Sequence, residues 1–110
     1  MNNEVRFFAG GELIADGDKS KVEKLAKEGD LGAIFKIARF YAFKGKFTKA
    51  YKYAERFGKK SDCFGQYDIG MFYHYIGLHY KAVYWLTISA NNGDDDAKSA
   101  IQTFYNIEIK

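Results

Sequence analysis

The feature that most constrains this chain is an internal period of 32 residues. Asp30, Ile37, Phe40, Tyr41, Gly45, Lys49, Ala50 and Tyr53 each meet, 32 positions on, the same residue or another aromatic one: Asp62, Ile69, Phe72, Tyr73, Gly77, Lys81, Ala82 and Trp85. A third step reaches Asp94, Ile101, Phe104 and Tyr105, and a step back from Ile37 and Phe40 reaches Val5 and Phe8. A period of this length marks one supersecondary unit used repeatedly, each unit burying its apolar face only against its neighbours. Function in such arrays sits on a shared surface, which points to binding more than to chemistry.

The residues inside one period specify a pair of helices. Over residues 30–44 the apolar side chains Ala33, Ile34, Ile37, Ala38, Phe40 and Tyr41 recur at steps of three and four, the spacing of an amphipathic helix. Asp30 suits the N-cap, because its carboxylate can accept from the free amides of the first turn; Gly45 suits the left-handed residue that ends a helix. Phe47, Ala50, Tyr53, Ala54 and Phe57 continue the pattern over residues 46–57, which closes at Gly58. The same start and stop chemistry predicts helices over residues 62–76 with Gly77 and residues 79–92 with Gly93, and Asp94 opens a last helix running towards Ile109. Ser20 to Lys27, with Val22, Leu25 and Ala26, reads as the second half of an earlier, incomplete unit. The first 17 residues carry Val5, Phe7, Phe8, Leu13 and Ile14 around Gly10-Gly11, and fit either a short helix or irregular cap or a two-strand hairpin. The expected fold is all-α: a short right-handed α-solenoid of antiparallel helix pairs. It has two full repeats, residues 30–58 and 62–92, flanked by partial repeats at 18–28 and 94–109, with residues 1–17 as an N-terminal cap, all in one domain.

Composition narrows the class. A chain of 110 residues has room for one domain with a core of its own. At 47% apolar and 18% aromatic it is too hydrophobic to be disordered, and no apolar run approaches the ~20 residues of a membrane span. Cys63 is the sole cysteine, so there is no internal disulfide, and a reducing compartment is expected. The N-terminal stretch lacks a basic segment followed by an apolar core, which argues against a secretory signal and for a cytoplasmic location. Charge is unevenly spread: residues 19–60 hold thirteen basic and four acidic side chains, residues 1–18 one and four, and residues 61–110 three and six. The middle is thus near +9 and each end near −3, a distribution that can steer an acidic partner. Solvated helix faces would give the same pattern.

With these residues in view the chain resembles the Sel-like repeat, a helix-turn-helix relative of the tetratricopeptide repeat. Gly29-Asp30, Ala33, Ile37-Ala38, Tyr41 and Gly45 stand where that family has its first-helix signature; Asp62, Gly65, Ile69-Gly70, Tyr73 and Gly77 match it more closely. Ala82, Trp85, Ser89-Ala90 and Gly93-Asp94 follow the second-helix pattern, and Ala50, Tyr53, Phe57-Gly58 and Ser61-Asp62 follow it less well. The turn between helices is shorter than is usual for Sel-like repeats and closer to the tetratricopeptide spacing. The resemblance implies a right-handed helical solenoid that binds proteins or peptides, usually without catalysis.

Helical geometry then selects candidate binding residues. If Ile37, Ala38 and Tyr41 face inward, the other flank of the first helices carries Phe35, Arg39 and Phe43, and in the next unit Tyr67, Met71, His74 and Tyr75. Aromatic residues and arginine dominate interface hot spots, so this flank, the concave side of the array, is the expected protein-binding face, or else a surface on which the N-terminal segment packs. A second candidate is the basic surface Lys46, Lys49, Lys52, Arg56, Lys59 and Lys60, able to meet acidic surface on a partner. With Tyr51 as a stacking ring it could also hold a nucleic-acid backbone, but no recognised motif accompanies it and a net charge of +3 disfavours that use. Cys63, His74, His79, Asp62 and Asp68 are the only candidates for catalysis; their spacing matches no catalytic or metal-binding pattern, and neither an enzyme, a metal nor a cofactor is expected. The functional expectation is a non-catalytic module that binds a protein partner, or, as the alternative, a dedicated inhibitor for toxin immunity or phage anti-defence acting by stoichiometric binding. The apolar end Phe104, Tyr105, Ile107 and Ile109 should either pair two copies of the chain or dock back onto the array.

Overall fold

The computed structural model describes residues 16–109, so the expected N-terminal cap falls, but for its last two residues, outside the described part. The described residues are helical with no strand. A 3-10 turn at Asp16–Asp18 leads into α1 (Lys19–Lys27), α2 (Leu31–Phe43) and α3 (Phe47–Lys60), followed by α4 (Cys63–Tyr75), α5 (His79–Asn91) and α6 (Asp95–Tyr105). The chain divides into two compact units, one ending at Lys60 and the other beginning at Ser61. In the first unit α1 packs on α2 and α2 on α3; in the second α4 packs on α5 and α5 on α6. This helix-on-next-helix packing is that of a helical repeat.

The start and stop signals work as the sequence implies. Asp30 accepts from the Ala33 amide at 2.9 Å, Asp62 from the Phe64 and Gly65 amides at 3.1 Å each, and Asp94 from Asp96 and Ala97. Each satisfies amides that the first turn of a helix leaves without an internal partner. At the other ends, Gly29, Gly45, Gly77 and Gly93 take φ of 100°, 78°, 88° and 107°, the left-handed region open to glycine. Each is locked by the same crossed pair of bonds: at Gly45, its own amide donates to the Ala42 carbonyl and the Lys46 amide to the Tyr41 carbonyl, at 3.0 and 2.8 Å.

Two boundaries differ from expectation. α3 does not close at Gly58 but runs through it to Lys60, because Gly58 keeps a helical backbone and is buried. The left-handed glycines fall at 16-residue steps, and the step between Gly45 and Gly77 lands on Ser61, where the chain passes from one unit to the next. α6 stops at Tyr105 rather than Ile109: Asn106 adopts the left-handed conformation (φ 55°, ψ 38°), which asparagine tolerates better than most residues, and Ile107 is carried off the helix axis.

The repeated positions form the cores. Ile37 and Ile69, Tyr41 and Tyr73, Ala50 and Ala82, and Tyr53 and Trp85 are all buried. One repeated pair is exchanged in size. Ala38 and Ala54, both fully buried in the first unit, correspond to Gly70 and Leu86 in the second. A Cβ on Gly70 would stand 2.7 Å from the Leu86 Cγ, so the missing methyl makes room for the larger side chain.

Candidate functional site

The two flanks expected to form one binding face are in large part buried. In the first unit Arg39 is only 5% exposed, with its guanidinium 4.8 Å from the centre of the Phe35 ring. Phe35 in turn stacks on Phe57 at 4.8 Å, and Phe43 is half-buried. In the second unit Met71 is a core residue, 7% exposed, clustered with Leu86, Ala97, Ala100 and Ile101, and Tyr67 packs against that cluster. Arg39 and Met71 are therefore not the open surface residues expected. The physical reason for Met71 is that α6 adds a second neighbour to α4, covering a flank that helical periodicity alone reads as free. His74 is half-buried and Tyr75, 41% exposed, faces water.

His74 and Tyr75 belong instead to a cluster of rings at one end of the second unit. His74 closes α4 and His79 opens α5, so the Gly77 turn brings the two imidazoles together at 5.6 Å between ring centres. Tyr105, from the last turn of α6, places its hydroxyl 2.7 Å from Nδ1 of both. A phenol has one hydrogen to donate and lone pairs to accept, so the neutral arrangement has the hydroxyl donating to one imidazole and accepting from Nδ1–H of the other. Phe104 stacks on His74 at 4.3 Å and Tyr75 meets it edge-on at 5.2 Å. Burial first, and then the proximity of His79, push the His74 imidazole below its ordinary pKa, so it stays neutral at near-neutral pH; burial raises the Tyr105 phenol. The outward side of the cluster consists of Tyr75, His79 and Phe104, the last 44% exposed. That His74 and His79 meet is legible from a short turn between antiparallel helices. That Tyr105 reaches between them depends on where α6 lies.

Tyr105 and Ile109 pack against the second unit's core, so the apolar end docks within its own unit, while Ile107 stays 38% exposed. The exposed side of α5 adds Tyr80 and Tyr84, 70% and 55% exposed; one period earlier the same positions hold Thr48 and Lys52.

The basic residues of the first unit separate into two groups. Arg56 donates to the Lys27 carbonyl at 3.4 Å, Lys60 lies beside Gly29, and Lys52 and Lys59 are exposed. Lys46 and Lys49 instead join Lys19 and Lys44 around an open cleft of about 310 Å³ whose wall is Phe40 and Tyr41. Lys49 and Lys19 lie 5.3 and 5.7 Å from the centre of the Tyr41 ring, and Lys44 5.6 Å from that of Phe40, distances at which a cation is attracted to a ring. Beside the cleft Glu23 accepts from the Tyr41 and Tyr53 hydroxyls at 2.9 and 3.0 Å and pairs with Lys19 at 3.3 Å. Burial alone would raise the Glu23 carboxyl; the bonds from Tyr41, Tyr53 and Lys19 outweigh it and hold the group below its ordinary pKa. Burial and then the bond to Glu23 push the Tyr53 phenol up to about 12. Lys19 and Lys44 are missing from the basic surface read off the sequence, because they come from α1 and from the end of α2.

Among the described residues no three His, Cys, Asp or Glu side chains come together as a metal site, and no helix is long and apolar enough to cross a membrane. The two histidines converge on Tyr105, and the Cys63 carbonyl accepts from the buried Ser89 hydroxyl at 2.6 Å.

No protein-family profile matches the chain, and no solved structure does. It is similar to the uncharacterized protein YibG of Escherichia coli strain K12, with 30% identity over 102 residues that take in 82% of this chain and 66% of that protein. The chain thus spans slightly less than two thirds of the length of this relative.

Proposed function

We propose that the chain is a non-catalytic helical-repeat module of Sel-like type that captures a protein partner, with Tyr75, His79 and Phe104 of the second unit as the docking patch. The observation that carries this reading is the five-ring cluster: hydrogen bonds to the Tyr105 hydroxyl hold His74 and His79, and Tyr75, His79 and Phe104 face water. Rings fixed before binding lose little conformational freedom on docking, and aromatic residues so placed are the type that costs ~2 kcal/mol or more on truncation. Recognition falls to exposed positions: Phe104 recurs with Phe40 and Phe72 but is 44% exposed where they are buried, and Tyr80 and Tyr84 stand where the first unit has Thr48 and Lys52. A rigid patch also suits a dedicated inhibitor that binds stoichiometrically, the second form of the same proposal. A cytoplasmic location belongs to this reading and rests on the lone cysteine.

The test is affinity capture from lysate of the source cell with wild type, Tyr75→Ala/Phe104→Ala and a basic-surface control, Lys52→Gln/Lys59→Gln, after circular dichroism has verified helix content in each. A stoichiometric protein retained by wild type and the control but lost from the ring variant is the expected result. Retention by all three would overturn the assignment of the patch. Recovery of nuclease-sensitive material alone, or of a second copy of the chain alone, would overturn the proposed partner class.

A further inference from the structure

We infer that the lysine-ringed cleft of the first unit is an anion site for a compact phosphate-type group, a diphosphate by charge and size. Four cations, Lys19, Lys44, Lys46 and Lys49, border one cleft of about 310 Å³, and Glu23 beside it is engaged by Lys19 and two tyrosine hydroxyls. The concentration is specific to this unit: one period later Lys44 and Lys46 become Ile76 and Leu78, and only Lys49 has a counterpart, Lys81. The repeat fold therefore does not need Lys19, Lys44 or Lys46.

The end of α3 that borders the cleft supports the assignment. α2, α4 and α6 each begin after an aspartate that accepts from the first-turn amides. α3 begins after Lys46, which offers no acceptor, and carries Lys49 in its first turn. Amides and aligned peptide dipoles make a helix start electropositive, so cations there are placed against the field and an anion is favoured. α5 likewise begins after a residue with no acceptor, Leu78, and carries Lys81 in its first turn, so what distinguishes the start of α3 is the added lysines, which an anion in the cleft would answer. The walls are not a base-stacking platform, since Phe40 and Tyr41 are only 7% and 3% exposed. Recognition is thus by charge, through lysines acting as point charges on phosphate oxygens.

The experiment is a titration of the full chain with inorganic pyrophosphate, followed by amide chemical shifts and calorimetry, with sulfate at matched ionic strength and ADP as comparison arms. Saturable binding is expected, with the largest shifts over residues 44–49. It should be roughly tenfold weaker in Lys44→Gln/Lys46→Gln and unchanged in Lys59→Gln/Lys60→Gln, which removes equal charge elsewhere in the unit. Lys46→Gln/Lys49→Gln serves the same purpose should the first variant fail to fold. ADP should bind about as well as pyrophosphate, which would mark a phosphate end of a larger molecule as an equivalent source. Equal weakening in both double variants, or sulfate binding as well as pyrophosphate, would reduce the effect to net charge and overturn the site. ADP binding far more tightly than pyrophosphate would overturn recognition by charge alone.

Discussion

Gly70 and Leu86 should behave as one unit in stability measurements. An alanine Cβ at position 70 would lie 2.7 and 2.8 Å from Leu86 Cγ and Cδ2 and 3.1 Å from the Leu86 backbone nitrogen. Carbon atoms rest at about 3.5–4.0 Å, and the backbone of α5 cannot retreat as a side-chain tip can. Overpacking of this kind costs about 1–3 kcal/mol, and alanine in place of glycine inside a helix returns about 1 kcal/mol, so Gly70→Ala should destabilise by about 0–2 kcal/mol. Leu86→Ala empties a fully buried position and should cost about 2–5 kcal/mol. In that background Gly70→Ala meets only the backbone nitrogen of residue 86 at 3.1 Å and partly fills the space, and should stabilise by up to about 1 kcal/mol. The double variant restores the alanine pair that the first unit uses at Ala38 and Ala54. The two substitutions should therefore couple by about 2 kcal/mol, favourably. Trp85, the sole tryptophan and 3% exposed, makes urea unfolding followed by its fluorescence a report on the second unit itself. Single effects that simply add, within about 0.5 kcal/mol, would refute the packing argument.

Ser89→Ala should lower the stability of the second unit by about 1 kcal/mol, because it removes the bond that the fully buried Ser89 hydroxyl donates to the Cys63 carbonyl; the same fluorescence-detected unfolding measures it. Since the His74 pKa is lowered on folding, the unfolded chain takes up the proton first, and stability is complete above the ordinary value of 6.5 and falls as pH drops below it. His74→Gln should flatten that limb of a stability–pH curve, and an unchanged limb would refute its assignment to His74. Glu23→Gln should cost about 1–3 kcal/mol through weaker bonds to Tyr41 and Tyr53. Its pKa is also lowered, so that contribution is present above the ordinary 4.5 and lost as pH falls through the lower folded value, a window more acid than that of His74 and readable by circular dichroism. Asp62→Ala should cost about 1 kcal/mol through the lost cap of α4, measured by the same urea unfolding.

The sequence by itself determined what repeats. Aspartates before helices, left-handed glycines after them and apolar steps of three and four residues act within one turn of the chain. They specify the helices and the inward stripes of Ile37, Tyr41, Ile69 and Tyr73 without reference to distant residues. Tertiary structure decided what depends on a second neighbour. α6 turns Met71 from a presumed surface residue into core and sends Tyr105 between His74 and His79, while α1 brings Lys19 and Glu23 to residues near the α2–α3 turn. Helical periodicity tells which residues share a face, because that follows from 3.6 residues per turn; it cannot tell how many faces are covered. That is set by where the next helix lies, and both candidate surfaces are built from helices that are not adjacent in the chain or from the turns between them.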